Sequence, residues 1–325
     1  MSPVRGVFWG SPRIAAEFLS ELVEKHAGEF QVVACVTQTE KVIQRQGKSA
    51  ARSAVHERAE ALGIPVFTPK SVKKEADVLL GELQKIGFDL FVVLAYGKIL
   101  PVSIIDAPRL KSVNFHGSLL PLLRGAAPIE HALLQGFTET GWTLQRIVTE
   151  LDAGDIVAQS RVAITPDETT GTLYPKLTQD LLEHGPRMLS DYVHGRAQIQ
   201  PQNHAAATHC GKIHAEDGKI DWSQPAMEIR NRYRAFTPRP GVFAIFRGKK
   251  AKLAFDLSSP LHVSGAGWPK AGVGSLRRQG KTELYVLCGD GNALKIESVT
   301  PEGKKAMAVA DFMNGYRLAD SDRFE

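Results

Sequence analysis

The chain has 325 residues, 43% of them hydrophobic, and a formal net charge of +5, which is typical of a globular protein with room for two domains. Its longest apolar runs, such as residues 90–96, are too short to span a bilayer, and the first 13 residues lack the apolar core and cleavage site of a signal peptide. Cys35, Cys210 and Cys288 are too scattered for a paired zinc site or a disulfide framework, so we expect a cytoplasmic protein that uses no metal.

The positive charge is concentrated in the C-terminal part of the sequence. Residues 1–205 contain 21 basic and 22 acidic residues, a net charge of −1, whereas residues 206–325 contain 19 and 13, a net charge of +6. A modest excess of positive charge can serve solubility alone. Its concentration in one part of the chain instead favours a polyanionic partner.

The first predicted elements alternate between strands and helices. Residues 5–9 predict a strand, Ser11 and Pro12 predict the N-cap and first position of the following helix, and residues 31–37 predict a second strand. This order is typical of a parallel sheet. A single glycine, Gly10, follows the first strand, so the dinucleotide-binding fingerprint is missing and we predict a Rossmann-like layout without NAD.

The segment between the second strand and the next helix is basic. Residues 38–52 have no apolar periodicity and contain Lys41, Arg45, Lys48 and Arg52 against a single acidic residue. Composition alone leaves a solvated loop and a nucleic-acid contact equally open.

The alternation of helices and strands continues through the rest of the N-terminal part. The pattern predicts helices over residues 54–62, 73–86, 128–135 and 169–193, and strands over residues 64–67, 90–95, 112–115 and 142–148. The run at 90–95 is apolar throughout, which is typical of a central strand in a parallel sheet.

Polar side chains stand near the ends of two of these strands. Asn114 and His116 share one side of an extended chain because strand side chains alternate. An amide can donate to a developing oxyanion, and an imidazole can donate to it or move a proton. Asp152 follows the next strand, and open parallel sheets bind ligands beyond the carboxyl ends of their strands. We therefore expect His116 and Asp152 to be neighbours.

The C-terminal part predicts a different architecture. Strands are predicted over residues 242–247, 252–256, 283–288 and 293–299, with a Gly-Asp-Gly hairpin turn at 289–291. Several short strands within about a hundred residues indicate a small barrel. The predicted organisation is an α/β Rossmann-like domain over residues 1–194, a linker over residues 195–208 and an all-β barrel domain over residues 209–325.

The segment around His116 resembles a known family. Asn-x-His-Gly-Ser-Leu-Leu-Pro at residues 114–121, Arg-Gly-Ala-Ala-Pro-Ile at 124–129 and Leu-Asp-Ala-Gly-Asp at 151–155 are similar to motifs of the 10-formyltetrahydrofolate-dependent formyltransferases. The resemblance extends from Val7 to Gly315, almost the whole chain. It is greatest to the members that act on methionyl-tRNA, whose C-terminal domain is an OB-like barrel with matches at residues 220–223, 234–241 and 301–307.

The resemblance implies transfer of a formyl group from 10-formyltetrahydrofolate to the α-amino group of initiator methionyl-tRNA. The protein is then a monomer that binds neither DNA nor a membrane. Asn114 and His116 donate to the oxygen of the tetrahedral intermediate, and Asp152 holds His116 and assists proton transfer. The residues implied to bind the folate are Ser118, Leu119, Leu120, Pro121, Tyr96 and Gly97.

The resemblance also implies that the basic loop contacts tRNA through Arg45, Lys41 and Lys48. Arg45 falls where the family has a key arginine on a loop that enters the acceptor stem. The residues around it, at 37–40 and 44–46, depart from the usual pattern of the family.

Four assignments beside the central motif remain to be tested by the structure. Arg124 is equally suited to binding a backbone carbonyl and to steering the substrate. Ser118 is better suited to a turn than to nucleophilic attack, because no serine-hydrolase pattern surrounds it. Asp155 is better suited to holding the turn than to catalysis. Leu122 and Leu123 stand where the family often has a basic and an aromatic residue.

The sequence leaves three alternatives to a formyltransferase that acts on methionyl-tRNA. A formyltransferase for an amino-sugar nucleotide shares the same site, but the basic loop and the +6 charge favour tRNA. The hydrolase-like domain of formyltetrahydrofolate dehydrogenase needs large partner domains that this sequence does not contain. An RNA-binding protein with a decayed site is disfavoured by the intact Asn114, His116 and Asp152.

Overall fold

The backbone of this computed structural model is described for residues 2–38, 52–259 and 272–325. Its helices are α1 (Arg13–Lys25), α2 (Ala54–Ala61), α3 (Ala76–Ile86), α4 (Val102–Ile105), α5 (Pro128–Leu134), α6 (Thr170–Val193), α7 (Ala226–Phe236) and α8 (Val309–Tyr316). Its strands are β1 (Val4–Gly10), β2 (Phe30–Val36), β3 (Val66–Phe67), β4 (Leu90–Leu94), β5 (Ser112–His116), β6 (Arg124–Gly125), β7 (Glu139–Thr140), β8 (Thr143–Arg146), β9 (Ile156–Gln159), β10 (Val162–Ala163), β11 (His209–Cys210), β12 (Val242–Phe246), β13 (Lys249–Phe255), β14 (Leu276–Gln279), β15 (Glu283–Leu287), β16 (Ala293–Pro301) and β17 (Met307–Ala308).

The chain divides into two compact units. The first comprises Met1–Pro128, Thr140–Val162 and Pro175–Cys210, and the second comprises Ile129–Glu139, Ala163–Tyr174 and Gly211–Glu325. Residues 195–208, for which the sequence predicts a linker, fall within the first unit. In the part of the chain that the structure describes, none of the helices combines the length and the apolar character needed to cross a membrane.

The first unit is built on a seven-stranded sheet with the order β3-β2-β1-β4-β5-β8-β9. Strand β1 pairs in parallel with β2 and β4, and β4 pairs in parallel with β5. All five residues of β4 are buried, as expected for a central strand covered on both faces, and full burial of each such side chain stabilises the fold by about 1.5–3 kcal/mol. The predicted Rossmann-like layout is confirmed.

Helix α1 packs an apolar face inward but begins one residue later than predicted. Its buried face consists of Ile14, Ala15, Ala16, Phe18, Leu19 and Leu22. The N-cap is Pro12 and not Ser11. The Ser11 hydroxyl instead accepts hydrogen bonds from Thr37 Oγ1 and the Gln38 backbone N–H, both at 3.3 Å. These bonds form because β1 and β2 are adjacent and end at the same edge of the sheet.

Strand β8, which leads to Asp152, runs opposite to the predicted direction. It pairs antiparallel with β5, with His116 opposite Thr143 and Asn114 opposite Gln145, and β9 pairs antiparallel with β8. The chain re-enters the sheet at the edge where β5 ends, so β8 has to run back alongside it. Asp152 therefore does not follow the carboxyl end of a parallel strand. It lies in the turn between β8 and β9, a connection short enough for antiparallel neighbours.

The second unit contains an antiparallel sheet with the order β12-β13-β16-β15-β14, and β17 pairs with β16. The predicted hairpin is confirmed, because β15 and β16 pair with Leu287 opposite Ala293 across the Gly-Asp-Gly turn. Helices α7 and α8 were not predicted. They bury Ile229 and Phe236 from α7, and Phe312 from α8, so the predicted strands pack against helical segments as well as against each other.

Residues 322–325 bond to both edges of this second sheet. The Glu325 backbone N–H donates to the Ile245 carbonyl oxygen of β12 at 2.8 Å, and the Phe324 N–H donates to the Gly274 carbonyl oxygen, just before β14, at 2.9 Å. The segment therefore closes the sheet into a barrel.

Candidate active site

His116 ends strand β5 and is 6% exposed. Its Nε2 lies 2.9 Å from the carbonyl oxygen of Leu123. Because a carbonyl oxygen can only accept a hydrogen bond, this nitrogen carries the proton and donates it. Its Nδ1 lies 3.7 Å from Oδ2 of Asp152, which is too far for a hydrogen bond. Nδ1 is therefore the ring nitrogen that remains to accept or release a proton.

Asp152 lies in the turn between β8 and β9, with a left-handed φ of +51° and 11% of its side chain exposed. Both carboxylate oxygens accept hydrogen bonds at 2.9 Å, Oδ1 from Gln145 Nε2 and Oδ2 from the Gly125 backbone N–H. The turn passes close to β8, since a Cβ added at Gly154 would lie 1.8 Å from the Arg146 carbonyl oxygen. These contacts fix the carboxylate beside the imidazole.

Asn114 lies two residues before His116 on β5 and is half-buried. It faces Gln145 across the β5–β8 pair. No hydrogen bond to another residue within the described ranges occupies its side-chain amide, whereas the neighbouring amide of Gln145 is bonded to Asp152. The Asn114 amide is therefore available to a ligand as both donor and acceptor.

Leu123 supports the imidazole through its backbone. It has a left-handed φ of +59°, which is uncommon for a residue with a bulky side chain. Its N–H donates to Thr208 Oγ1 at 2.9 Å, and its carbonyl oxygen accepts from Cys210 Sγ at 3.3 Å as well as from His116. The identity of the side chain at this position, which differs from the family pattern, does not enter these contacts.

Arg124 is 2% exposed, and its guanidinium is occupied inside the first unit. Nε and Nη2 donate to Gln202 Oε1 at 3.1 and 2.8 Å. Nη1 lies 3.3 Å from Glu150 Oε1, and Nη2 donates to His204 Nδ1 at 3.1 Å. Within the described part of the chain, the guanidinium thus binds side chains and not a backbone carbonyl, and its burial disfavours the alternative that it steers a substrate.

The loop predicted to shape the folate pocket is held by hydrogen bonds. Ser118 donates its hydroxyl to the Leu122 carbonyl oxygen at 2.6 Å, a contact within the turn. Gln159 Nε2 donates to the Leu120 carbonyl oxygen at 2.9 Å. Leu119 and Pro121 keep partly exposed side chains. The loop is therefore fixed in place, with the Leu119 and Pro121 side chains open to contact.

Tyr96 and Gly97 follow strand β4, at the edge where β5 also ends. The Tyr96 ring is buried edge-on against Trp9, with ring centroids 5.3 Å apart. Burial raises the pKa of the Tyr96 hydroxyl, and the nearby Glu75 carboxylate raises it further. Its carbonyl oxygen accepts from Gln38 Nε2 at 2.5 Å. Gly97 has a left-handed φ of +77°. Only backbone groups of this pair are therefore open to a ligand.

Sequence reasoning missed two site residues, Gln145 and Gln202. Gln145 and Leu144 are neighbours on β8 and point to opposite faces of the sheet. Both are buried, and a polar residue within a strand predicted to be buried is a sequence signal for a site residue. Gln202 lies in a segment without periodicity, so no local pattern marks it. Asp155 forms an ion pair with Arg146, at 3.7 Å between Oδ2 and Nη1, which is consistent with a role in the turn.

The proposed tRNA contacts Arg45, Lys41 and Lys48 lie outside the described residues. Across residues 2–38, 52–259 and 272–325, no group of three or more His, Cys, Asp or Glu side chains is arranged to hold a metal ion.

Two parts of the chain match known family profiles, and curated relatives match nearly all of it. Residues 5–189 match Formyl transferase, and residues 212–317 match Formyl transferase, C-terminal domain. The methionyl-tRNA formyltransferase of Leptospira interrogans serovar copenhageni is 37% identical over 317 residues, covering 98% of this chain and 98% of that protein. The one from Pseudoalteromonas translucida is 38% identical, covering 96% and 94%.

Solved structures share the fold at lower identity. A sugar 3N-formyl transferase, studied in the presence of dTDP and 5-N-formyl-THF, has a TM-score of 0.62 at 17% identity and covers 94% of this chain and 100% of its own. A Helicobacter canadensis N-formyltransferase, in complex with folinic acid and dTDP-3-aminofucose, has a TM-score of 0.62 at 19% identity and covers 90% and 98%. The full-length relatives and the two profile matches together show that the chain belongs to the formyl transferase family.

Proposed function

We propose that this protein transfers the formyl group of 10-formyltetrahydrofolate to the α-amino group of initiator methionyl-tRNA. The observation that carries the choice of acceptor is the 37% identity to a curated methionyl-tRNA formyltransferase over 98% of the chain. The sugar formyltransferases of similar fold are only 17% and 19% identical. An amino-sugar nucleotide is therefore the less favoured acceptor.

Asn114 is suited to stabilise the oxygen of the tetrahedral intermediate. Attack of an amine on the formyl carbon breaks the carbonyl π bond and leaves negative charge on oxygen. The Asn114 amide has no hydrogen-bond partner among the described residues, so donation to this oxygen costs it no existing contact. Removing one such donor typically lowers the rate by about 10²–10³-fold.

His116 and Asp152 are suited to proton transfer. The attacking nitrogen becomes cationic and has to lose a proton, while the departing nitrogen has to gain one. Nδ1 of His116 has no hydrogen bond to any residue that the structure describes and can take up the first proton, which forms an imidazolium 3.7 Å from the Asp152 carboxylate. Return of that proton to the departing nitrogen restores the neutral imidazole. Because Nε2 is already bonded to Leu123, the geometry favours proton transfer over oxyanion donation for this residue.

The residues present fit a flat, partly apolar co-substrate. 10-Formyltetrahydrofolate supplies the formyl group on N10. Two apolar side chains are exposed after β4, Ile99 and Val102, and two in the turn after β8, Val148 and Leu151. The loop at 118–121 is fixed by hydrogen bonds and leaves the Leu119 and Pro121 side chains partly exposed, and Gly97 presents backbone with no side chain. These features support a pterin site, in which Tyr96 contributes its backbone alone.

The acceptor assay tests this proposal directly. The protein is mixed with 10-formyltetrahydrofolate and either methionyl-tRNA or a nucleotide-linked amino sugar, and formylation of each acceptor is measured. We expect methionyl-tRNA to be formylated and the sugar to be left unchanged. Formylation of the sugar alone would replace the proposed acceptor, and formylation of neither would refute the proposed activity.

The basic loop carries a second part of the proposal, the selection of initiator tRNA by Arg45. Arginine can both stack on a base and bind phosphate, and a weak first base pair opens at low cost. Arg45→Ala should lower kcat/KM for initiator tRNA far more than Lys48→Ala or Lys41→Ala. It should also narrow the preference over a tRNA with a strong first pair. Equal effects of the three variants and an unchanged preference would contradict this role.

We also propose that residues 1–194 and 209–325 are two domains joined by a linker at residues 195–208. The protein is then a monomer located in the cytoplasm. Cys35, Cys210 and Cys288 are all free thiols, which supports the location, because proteins of a reducing compartment rarely form disulfides. Burial raises the pKa of Cys35 and Cys288 to about 12, which keeps these thiols protonated and unreactive.

A further inference from the structure

We infer that Gln202, Thr208 and Cys210, which lie on the stretch 202–210 here called the positioning segment, hold His116 and Asp152 in their reactive arrangement from both sides. Gln202 fixes the turn that carries Asp152, with Gln145 holding the carboxylate itself, and the segment's other end fixes the backbone that holds His116. The inference rests on the proposed formyl transfer, and it gives a positioning role to Gln202 and Thr208, for which the sequence predicts only a linker, and to Cys210 just beyond that linker.

The first contact of the positioning segment is with the Asp152 turn. Gln202 is 5% exposed. Its Nε2 donates to the carbonyl oxygens of Asp152 at 2.8 Å and Gly154 at 2.7 Å. Its Oε1 accepts two hydrogen bonds from Arg124. All four hydrogen-bonding positions of this amide are therefore used, so Gln202 links the turn to a buried guanidinium.

Gln145 completes this side of the arrangement. Its Nε2 donates to Oδ1 of Asp152 at 2.9 Å, and its Oε1 lies 3.5 Å from Gln202 Nε2. Gln145 is buried on β8, so its own position is set by the sheet. The carboxylate is therefore oriented by Gln145 while its backbone is held by Gln202.

The second contact of the positioning segment is with Leu123. Thr208 Oγ1 accepts from the Leu123 N–H at 2.9 Å, and Cys210 Sγ donates to the Leu123 carbonyl oxygen at 3.3 Å. That same oxygen accepts from His116 Nε2. A left-handed φ is unfavourable for a leucine, and it persists where surrounding contacts over-determine it.

One short stretch of chain thus controls both partners of the pair. Gln202 acts on the aspartate and Thr208 with Cys210 act on the histidine, so the 3.7 Å separation of Nδ1 and Oδ2 depends on both ends of the segment. Proton transfer is sensitive to such geometry, and a displacement of about 1 Å can lower a rate by about 100-fold. Because these contacts are made within the protein, we expect their loss to act on kcat and not on substrate binding.

The test uses variants of the full chain that change one contact at a time. Gln202→Glu keeps two acceptor oxygens for Arg124 but places negative charge against the carbonyl oxygens of Asp152 and Gly154. Gln145→Met removes the donor to Asp152 with little change in volume. Asn203→Ala is the matched control, because Asn203 is exposed and its side chain, among the described residues, bonds only to the Ala205 N–H.

We expect Gln202→Glu and Gln145→Met to lower kcat by about 10–100-fold, the usual effect of a residue that orients a reactive group, with KM for both substrates nearly unchanged. Asn203→Ala should match the wild type. Wild-type kcat in both glutamine variants would overturn the inference while leaving the proposed function intact. Wild-type protein without transferase activity would refute the proposed function instead.

Thr208 provides a rescue test on the histidine side. Thr208→Val removes the acceptor for the Leu123 N–H, whereas Thr208→Ser retains it. We expect Thr208→Val to lower kcat and to change the ¹⁵N chemical shifts of the His116 imidazole, and Thr208→Ser to keep both. The NMR readout does not require turnover. Unchanged imidazole shifts in Thr208→Val, or no recovery in Thr208→Ser, would contradict the positioning role.

Discussion

At the scale of single residues, the groups proposed to react are those that the protein leaves without hydrogen bonds. Both oxygens of Asp152 and the Nε2 of His116 are occupied by internal partners. The Arg124 guanidinium is likewise satisfied. Within the described part of the site, the Asn114 amide and His116 Nδ1 remain. The internal bonds therefore orient the site and the two remaining groups are free to meet substrate.

The paired substitutions His116→Ala and Asp152→Asn should each lower kcat by about 10²–10⁴-fold, the usual contribution of general acid–base catalysis. KM should change little, because these groups act on charge that arises only during reaction. Asparagine cannot replace Asp152, since one amide oxygen cannot satisfy the donors from both Gln145 and Gly125. Steady-state kinetics with methionyl-tRNA measures the effect.

Asp155→Asn is the matched control for this prediction. Asp155 lies in the same turn, but its carboxylate contacts Arg146 at 3.7 Å and is partly exposed. Such surface pairs contribute about 0–1 kcal/mol to stability, so kcat should stay near the wild-type value. A loss equal to that of Asp152→Asn would mean that disturbance of the turn, and not loss of the catalytic carboxylate, lowers activity.

The three proposed catalytic residues could be named from the sequence, but their supports could not. Asn114 and His116 share a side of a strand by simple alternation, and Asp152 lies in a recognisable motif. Gln202 acts from 50 residues beyond Asp152, and Leu123 acts through its carbonyl group. Hydrogen bonds between distant segments and bonds from backbone atoms leave no periodic trace in side-chain patterns.

At the scale of elements, the short pair of β6 and β11 holds one side of the site. Arg124 and Gly125 pair in parallel with His209 and Cys210, and the Gly125 N–H donates to Asp152. Gly125 has a φ of +124°, and a Cβ there would lie 2.2 Å from the Cys210 carbonyl oxygen. No other residue fits this position without moving β11.

Gly125→Ala should therefore destabilise the protein by more than the cost of the backbone conformation alone. Gly195→Ala is the control, since Gly195 has a φ of +71° with no atom near an added Cβ. We expect about 1–2 kcal/mol for the control, and for Gly125→Ala a further 1–3 kcal/mol or so from the clash. Thermal unfolding of both variants measures the difference. Equal melting temperatures would mean that β11 moves to accommodate the added Cβ without a loss of stability.

Element type was predictable where the apolar period is clear, but strand direction was not. The apolar run of β4 identified a central strand, and the turn between β15 and β16 identified a hairpin. Side chains alternate along a strand in either direction. The sequence therefore does not show that β8 runs antiparallel to β5. Helix α7 buries the polar residues Asn231 and Arg234 beside its apolar ones, so its helical period was obscured, and α8 follows directly after the short strand β17.

An ion pair in the barrel-closing segment makes the stability of the second unit depend on pH. Arg247 donates from Nε and Nη2 to the two carboxylate oxygens of Asp322, at 2.9 and 2.6 Å. These bonds lower the pKa of the Asp322 carboxyl. Partial burial acts in the opposite direction, and a hydrogen bond from the Ala319 N–H adds to the lowering. The ion pair therefore stabilises the fold fully above about pH 4, the ordinary aspartate range, and loses that effect as pH falls through the lowered pKa.

Arg247→Met should accordingly lower the melting temperature at pH 7, and its difference from the wild type should shrink as the pH falls below about 4. Arg323→Met serves as the control, because the Arg323 side chain forms an ion pair with Glu325 alone among the described residues, at 3.7 Å and largely exposed. Melting curves across this pH range provide the comparison. A deficit of the Arg247 variant that is constant with pH would show that the ion pair does not contribute.

At the scale of the whole molecule, we propose that the unequal distribution of charge directs tRNA to the C-terminal part of the chain. The +6 charge of residues 206–325 contrasts with −1 for residues 1–205. Lys249 and Lys252 are exposed on β13 and make no ion pair with any described residue. Lys295 is neutralised by Asp256 and Glu283, at 3.4 and 3.0 Å.

Binding of tRNA should weaken steeply with salt, because phosphate contacts release counterions. Lys252→Ala and Lys249→Ala should each reduce the slope of log K against log salt by about one if the lysine contacts a phosphate. Lys295→Ala should leave the slope unchanged, since its charge is already compensated. Identical slopes for all three variants and the wild type would place the tRNA elsewhere on the protein.

The position of residues 202–210 in the chain has a consequence for biosynthesis. The ribosome makes His116 and Asp152 well before it makes the segment that holds them. At about 5–20 residues per second, the 58 residues from Asp152 to Cys210 take roughly 3–12 s. During that interval the nascent sheet can form while the turn that carries Asp152 still lacks its contacts with Gln202. Limited proteolysis of chains arrested at increasing lengths should show this turn becoming resistant only after Cys210 has emerged.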